Sequence, residues 1–167
     1  MSNDGLARYK PHFRSLQQAF DSAHHFFHWL STYSRSLDIR TFAETQLPNN
    51  ARDDELIRPG DTYESVLNLV ENTNVEICWD AGHSWRSSLL KKQPPFPAAD
   101  FLRKVGHVHL HDADGDERGW FDDHRPLDEG RSPWKQYLRM LFSHTYDSPF
   151  MLEVTIDSHF CDYEKKR

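Results

Sequence analysis

The sequence has few cysteines, no long hydrophobic run and no excess of positive charge. Its two cysteines, Cys78 and Cys161, are too few for a disulfide framework, so we expect a protein of the reducing cytoplasm. No stretch approaches the roughly 18 consecutive apolar residues of a membrane span, and the opening MSNDGLARYK has no apolar signal core. These absences exclude a disulfide scaffold and argue against a membrane partner.

Charge and composition narrow the class of protein further. Twenty lysines and arginines stand against 26 acidic residues, and this net charge of −6 argues against a nucleic-acid partner. The 5 tryptophans, 6 tyrosines and 11 phenylalanines exclude a disordered chain. Histidine is abundant, with 11 copies, and it is the commonest metal ligand and acid–base residue near neutral pH.

The length of 167 residues predicts a single domain over residues 1–167 and is short for a complete (β/α)₈ barrel, which needs about 250. An N-terminal amphipathic helix is predicted at 11–36, followed by four βα-type units over 37–155 and a charged tail at 156–167. The predicted strands are 38–44, 75–80, 107–112 and 150–154. Further helices are predicted at 61–70, at 98–105 and from Ser132-Pro133 onward. Asp61 is the predicted N-cap of the first of these, with Glu64 as its capping-box partner. The segments 81–97 and 113–131 are predicted to be polar loops. Strands that alternate with helices indicate an α/β fold with parallel strands.

Each predicted strand ends in a side chain suited to a divalent cation. These residues are Glu44, Asp80, His109 and Glu153, and His83 and Asp112 follow closely behind the second and third strands. A single acidic residue after a strand is more often a helix cap or a solvated group. Four of four strands are harder to explain in that way, because the carboxyl ends of parallel strands meet at one rim. An oxygen-rich set with one imidazole suits Mn²⁺, Mg²⁺, Co²⁺ or Zn²⁺.

Three histidines alternate along the third predicted strand. His107, His109 and His111 therefore share one face, and we expect one of them to be a ligand while the others form hydrogen bonds. Cys78 lies within the second strand and is interpreted as a small buried hydrophobic residue.

Five motifs in order resemble the second half of the xylose isomerase-like TIM barrels. They are AET at 43–45, WDAGH at 79–83, HVHLHD at 107–112, DDHRPLDEG at 122–130 and MLEV at 151–154. That superfamily includes sugar-phosphate isomerases and epimerases and the AP endonucleases of family 2. The resemblance covers about residues 37–155 and implies half of a TIM (β/α)₈ barrel, with four strands and about four helices. Asp128 departs from the glycine of the family's H-x-P-L-G-x-G pattern, and nothing matches its strands one to four.

The resemblance also implies roles for individual residues. Glu44, Asp80, His109 and Glu153 match the metal ligands, and Glu44 and Glu153 match the catalytic groups that shuttle a proton beside a substrate carbonyl. Four residues are implied as substrate contacts or ligands of a second metal: His83, Asp112, Asp122 and His124.

Three functions remain open from the sequence. The leading one is a divalent-metal-dependent isomerase or epimerase of a small sugar or sugar-like substrate. The alternatives are a metal-dependent phosphodiesterase that acts on damaged DNA, and a non-catalytic half-barrel that serves in binding or assembly. Since half a barrel exposes two strand edges, a homodimer that completes the barrel is expected.

Overall fold

A four-stranded parallel sheet forms the centre of the computed structural model, which describes residues 15–48, 58–90, 92–118 and 120–155. Its strands lie in the order β1-β2-β3-β6, and β4 and β5 form a separate antiparallel hairpin. The strands are β1 (Phe42–Glu44), β2 (Glu76–Asp80), β3 (Val105–Leu110), β4 (Asp112–Gly115), β5 (Phe121–Arg125) and β6 (Phe150–Leu152). The helices are α1 (Leu16–Ser36), α2 (Tyr63–Val70), α3 (Ala81–Leu89), α4 (Ala99–Lys104) and α5 (Trp134–Ser143). The predicted parallel βα architecture is therefore confirmed, with five helices rather than about four in the described residues.

Alternation along the strands separates a packed face of the sheet from a polar one. Ile77 and Trp79 on β2 and Val108 on β3 are fully buried against the helices. Trp79 also packs against the Tyr137 ring at a centroid distance of 5.0 Å. Cys78 and the histidines of β3 lie on the opposite face, because successive side chains of a strand point to opposite sides.

The start of α2 differs from the prediction. Thr62, and not Asp61, is the N-cap: its side chain accepts a hydrogen bond from the Ser65 N–H, and the Ser65 hydroxyl accepts one from the Thr62 N–H. Asp61 instead accepts a hydrogen bond from the backbone of Arg58 at 3.0 Å. The capping box therefore uses serine in place of the expected Glu64.

Two segments predicted as loops contain regular structure. Residues 81–89 form α3, whose N-cap is Asp80, and Asp112–Gly115 pairs with Phe121–Arg125 in the β4–β5 hairpin. Helix α3 escapes prediction because Ser84, Arg86 and Ser87 are buried although they are polar, so it has no plain apolar stripe.

The predicted cap of the last helix is also wrong. Ser132 makes no helix-capping bond; its hydroxyl donates instead to Asp112 at 2.7 Å, and the helix begins at Trp134. Residues 11–14 of the predicted first helix and the predicted tail at 156–167 lie outside the described residues.

No helix in the described part of the chain is both long enough and apolar enough to cross a membrane.

Candidate metal centre

The parallel register brings the carboxyl ends of all four strands to one rim of the sheet. Asp80 at the end of β2 pairs in register with His109 on β3. Glu44 is the last residue of β1. Glu153 follows β6, where its backbone N–H donates to the Leu110 carbonyl at 3.2 Å. Four separate strands thus position the four predicted ligands.

Their side chains converge on one point. Glu44, Asp80, His109 and Glu153 each offer one ligand atom, and these atoms all lie within 4.8 Å of one another. Two ligands on opposite sides of a zinc-sized cation are about 4.2 Å apart, so one ion can contact the whole set after small adjustments. Glu44 and Glu153 are the accessible members, with side chains 36% and 41% exposed.

The polar atoms at this point lack the hydrogen bonds that buried groups normally make. Nδ1 of His109 lies 2.8 Å from a Glu44 oxygen and 2.9 Å from a Glu153 oxygen. Nδ1 carries at most one proton and cannot donate to both; His109 Nδ1, Glu153 Oε2 and Asp80 Oδ2 are buried, and none of them makes a hydrogen bond of normal geometry. Buried polar atoms are almost always satisfied, and a shared cation would satisfy all three. The donor set of three carboxylates and one imidazole fits a divalent cation of the Mn²⁺ or Zn²⁺ type.

The two oxygens of the Asp80 carboxylate make different contacts. Oδ1 accepts the His83 N–H at 2.7 Å and lies 3.1 Å from Nε2 of His111. Oδ2 makes no hydrogen bond and lies 3.6 Å from Nδ1 of His83. Burial opposes ionisation, but the hydrogen bond from His111 and the charges of His83 and His111 together hold the pKa of Asp80 below its usual value. Asp80 is therefore held as the anion that a metal ligand must be.

A second cluster lies beside the first and shares Asp80 with it. It comprises Asp80, His83, His111 and His124, again with ligand atoms within 4.8 Å of one another. The rings of His111 and His124 stack at a centroid distance of 4.4 Å, and His124 Nε2 lies 3.6 Å from Glu153. His83 and His124 thus lie next to the four rim ligands.

His111 is the member of this cluster that the sequence reasoning did not propose as a site residue. It is fully buried, and its Nδ1 lies 2.9 Å from the His124 backbone nitrogen and 3.1 Å from the Asp112 carbonyl. Nδ1 can therefore accept from His124 in the neutral ring and donate to Asp112 in the charged ring. The alternation of histidines on β3 placed it on the same face as His109, but only its contact with Asp80 reveals its role.

Two of the residues named from the sequence take no part in either cluster. The Asp112 carboxylate accepts hydrogen bonds from the backbones of Ala113, Gly130 and Ser132, so it organises the loop after β5. Asp122 is exposed and pairs with Arg125 at 3.1 Å. Its neighbour Asp123, and not Asp122, contacts a His124 ring nitrogen, also at 3.1 Å.

A groove of about 750 Å³ lies elsewhere, beside α2 and α4. Tyr63, Leu67 and Phe101 contribute to its lining, and it contains none of the rim residues. The groove is therefore separate from the ligand-type side chains at the rim.

The fold and the rim together define a class, an α/β protein of the TIM-barrel type with a metal-ligand set at the carboxyl ends of its strands. The chain belongs to the xylose isomerase-like TIM barrel family, whose sequence model matches residues 16–166. None of the curated proteins compared with the chain matches it in sequence.

Solved structures share this fold. A D-tagatose 3-epimerase-like protein superposes with a TM-score of 0.65 at 22% identity, covering 94% of this chain and 57% of that one. The IOLI protein with a bound zinc atom superposes with a TM-score of 0.62 at 15% identity, covering 85% of this chain and 49% of that one. An AP endonuclease of family 2 from Brucella melitensis superposes with a TM-score of 0.59 at 17% identity, covering 89% of this chain and 56% of that one. The chain thus spans about half the length of the structures that it matches.

Proposed function

We propose that this chain binds one divalent cation through Glu44, Asp80, His109 and Glu153. The observation that carries the proposal is the convergence of four side chains from four strands, whose ligand atoms lie within 4.8 Å of one another. The bound zinc of the IOLI protein supports a divalent ion in this fold. Mn²⁺, Mg²⁺, Co²⁺ and Zn²⁺ all suit the ligand types.

We further propose that the site isomerises or epimerises a small sugar or sugar-like substrate. A bound divalent cation would polarise the substrate carbonyl. Glu44 and Glu153 are the two carboxylates of the rim that a substrate can reach, so they are the groups placed to take and return the proton on the adjacent carbon. His109 lies between them, with Nδ1 2.8 Å from a Glu44 oxygen and 2.9 Å from a Glu153 oxygen. The epimerase-like structural neighbour supports this substrate class.

The experiment measures metal content and proton exchange in the same preparations. We expect about one equivalent of metal in protein purified without a histidine tag, and loss of most of it in Glu153→Gln. Glu71→Gln is the matched control, because Glu71 is exposed at the C-cap of α2 and belongs to neither cluster. Substrate-dependent exchange of a carbon-bound proton with solvent deuterium should follow the metal content. A protein that holds metal but exchanges no proton on any small ketose or aldose would leave a metal-binding module without isomerase activity.

The second cluster favours one alternative, a metal-dependent phosphodiesterase. Two-metal phosphodiesterases hold their ions about 3.5–4 Å apart, and His83, His111 and His124 beside the rim would provide ligands for a second ion. Nicking of DNA that contains abasic sites tests this alternative. The net charge of −6 argues against it, because binding to the phosphate backbone depends largely on basic residues.

We also propose that a second copy of the chain completes the barrel in the cytoplasm. Within the described residues, β1 pairs only with β2 and β6 pairs only with β3, so the sheet has two open edges. Met151 and Leu152 on β6 are 50% and 62% exposed. A two-fold axis along the barrel would pair β6 of each copy with β1 of the other. A light-scattering mass equal to one chain at micromolar concentration would contradict this arrangement.

A further inference from the structure

A second group of ligand-type side chains lies on the polar face of the sheet, one layer below the rim. Cys78 on β2 pairs in register with His107 on β3, and His109 is the next residue on the same face of β3. The Cys78 sulfur and one nitrogen of each imidazole lie within 4.8 Å of one another. Three ligand atoms from two adjacent strands thus converge beside the rim carboxylates, and the His109 imidazole belongs to both groups.

The chemistry of this group differs from that of the rim. The rim offers three carboxylates and one imidazole, whereas Cys78, His107 and His109 offer one thiol and two imidazoles. Carboxylate oxygens suit Mg²⁺ and Mn²⁺, but sulfur and imidazole nitrogen select borderline and soft ions such as Zn²⁺ and Cd²⁺. Mn²⁺ therefore favours the rim and Cd²⁺ favours the group that contains the thiol, whereas Zn²⁺ suits both.

The surroundings also hold these side chains in place. The His107 ring packs near the Phe42 ring at a centroid distance of 5.7 Å and edge-on to the His109 ring at 5.3 Å. Cys78 is a free cysteine that is 4% exposed, while His107 and His109 are only partly buried, so an ion can approach from the polar face.

We propose that Cys78, His107 and His109 form a binding site for a thiophilic divalent cation, separate from the rim site but sharing His109 with it. When the sulfur–metal bond forms, the thiol proton leaves to solvent. Water or a further ligand would complete the coordination. Because His109 belongs to both groups, the two sites are linked, and this inference does not depend on the proposed isomerase activity.

The experiment titrates Cd²⁺ into the full chain and follows the ultraviolet charge-transfer absorption of a cadmium–thiolate bond. All variants carry Cys161→Ser, which removes the only other thiol. We expect the absorption in this background and its loss in Cys78→Ser. In His107→Gln we expect an apparent affinity at least about tenfold weaker, since even an outer-shell partner of a metal site is worth 10–100-fold.

Two controls separate this site from the rim. Glu153→Gln should keep the cadmium–thiolate absorption while it loses Mn²⁺ binding, and Cys78→Ser should keep Mn²⁺ binding. Circular dichroism checks that each variant is folded; if Cys78→Ser does not fold, the His107→Gln affinity decides alone. No absorption in the Cys161→Ser background, or wild-type cadmium affinity in His107→Gln, would overturn the proposal.

Discussion

The hydrogen bond between His111 and Asp80 can be removed with little change in the surrounding structure. In His111→Asn the amide oxygen can take the place of Nδ1 and accept the His124 N–H, but no atom reaches the Nε2 position 3.1 Å from Asp80. In His111→Gln the amide N–H does reach that position. Each variant thus keeps one of the two contacts of the His111 ring: Asn keeps the bond from the His124 N–H, and Gln keeps the bond to Asp80.

The size of the effect follows from the burial of both partners. The side chains of His111 and Asp80 are 0% exposed, so water cannot replace the lost donor. A hydrogen bond to a charged group contributes about 1.5–3 kcal/mol, and we expect His111→Asn to lower the free energy of unfolding of the metal-free protein by that amount. Metal affinity should fall by roughly 10–100-fold if His111 orients Asp80 as one of the proposed ligands.

The pH dependence of this effect has a defined shape. Although burial alone raises the pKa of Asp80, its histidine partners lower it below 3.8, so its contribution is lost as the pH falls through the folded pKa. Burial alone lowers the pKa of His111, but Asp80 raises it above 6.5, so its contribution is lost as the pH rises through the folded pKa. The stability difference between wild type and His111→Asn should therefore be largest between pH 3.8 and 6.5.

Urea unfolding followed by tryptophan fluorescence measures the stability difference across this range, and competition with a chelating dye measures the metal affinity. His111→Gln should recover most of the metal affinity and the part of the stability that comes from the bond to Asp80. Equal unfolding free energies and equal metal affinities in the Asn and Gln variants would refute the proposed role of His111.

Three further substitutions test the packing that supports the site. Thr62→Ala removes the capping box of α2 and should lower the free energy of unfolding by about 1 kcal/mol in urea titrations, whereas a value near zero would contradict this cap. Gly82→Ala would place a methyl group 2.0 Å from Cε1 of His111. We therefore expect the free energy of unfolding to fall by about 1–3 kcal/mol and metal binding to weaken. Wild-type metal affinity in this variant would show that the His111 ring can move freely. Trp79→Phe leaves Ser84 without the indole N–H that donates to it at 2.9 Å. The free energy of unfolding should fall by about 1–3 kcal/mol, and thermal unfolding with Ser84→Ala as the control measures this loss.

The strands of the sheet were predictable because their signals are local. The run that contains Ile77 and Trp79 is short, apolar and followed by Asp80, which are features that residue type and order reveal. Helix α3 was not predictable in this way. Its buried Ser84 binds the Trp79 indole, and its buried Ser87 donates to the Asp61 carbonyl at 2.6 Å. Both partners are contributed by other segments, so the helix's own pattern does not show why polar residues are buried.

The β4–β5 hairpin was missed for a related reason. Its strands have few β-branched or aromatic residues, and Phe121 is held by the guanidinium of the buried Arg86, 5.0 Å from the ring centre. The Arg86 guanidinium also donates to the Trp120 carbonyl at 3.1 Å. A long-range contact to α3 therefore stabilises a segment whose composition is typical of a loop.

By itself, the sequence determined the alternation of strands and helices and the identity of the four rim residues, because periodicity and residue type are properties of neighbouring positions. Only the tertiary structure decided how the remaining polar residues are used. It brought His111 against Asp80 and Cys78 beside His107, and it turned Asp112 toward the loop after β5. These roles depend on distances between segments far apart in the chain, and such distances are set by packing and strand register.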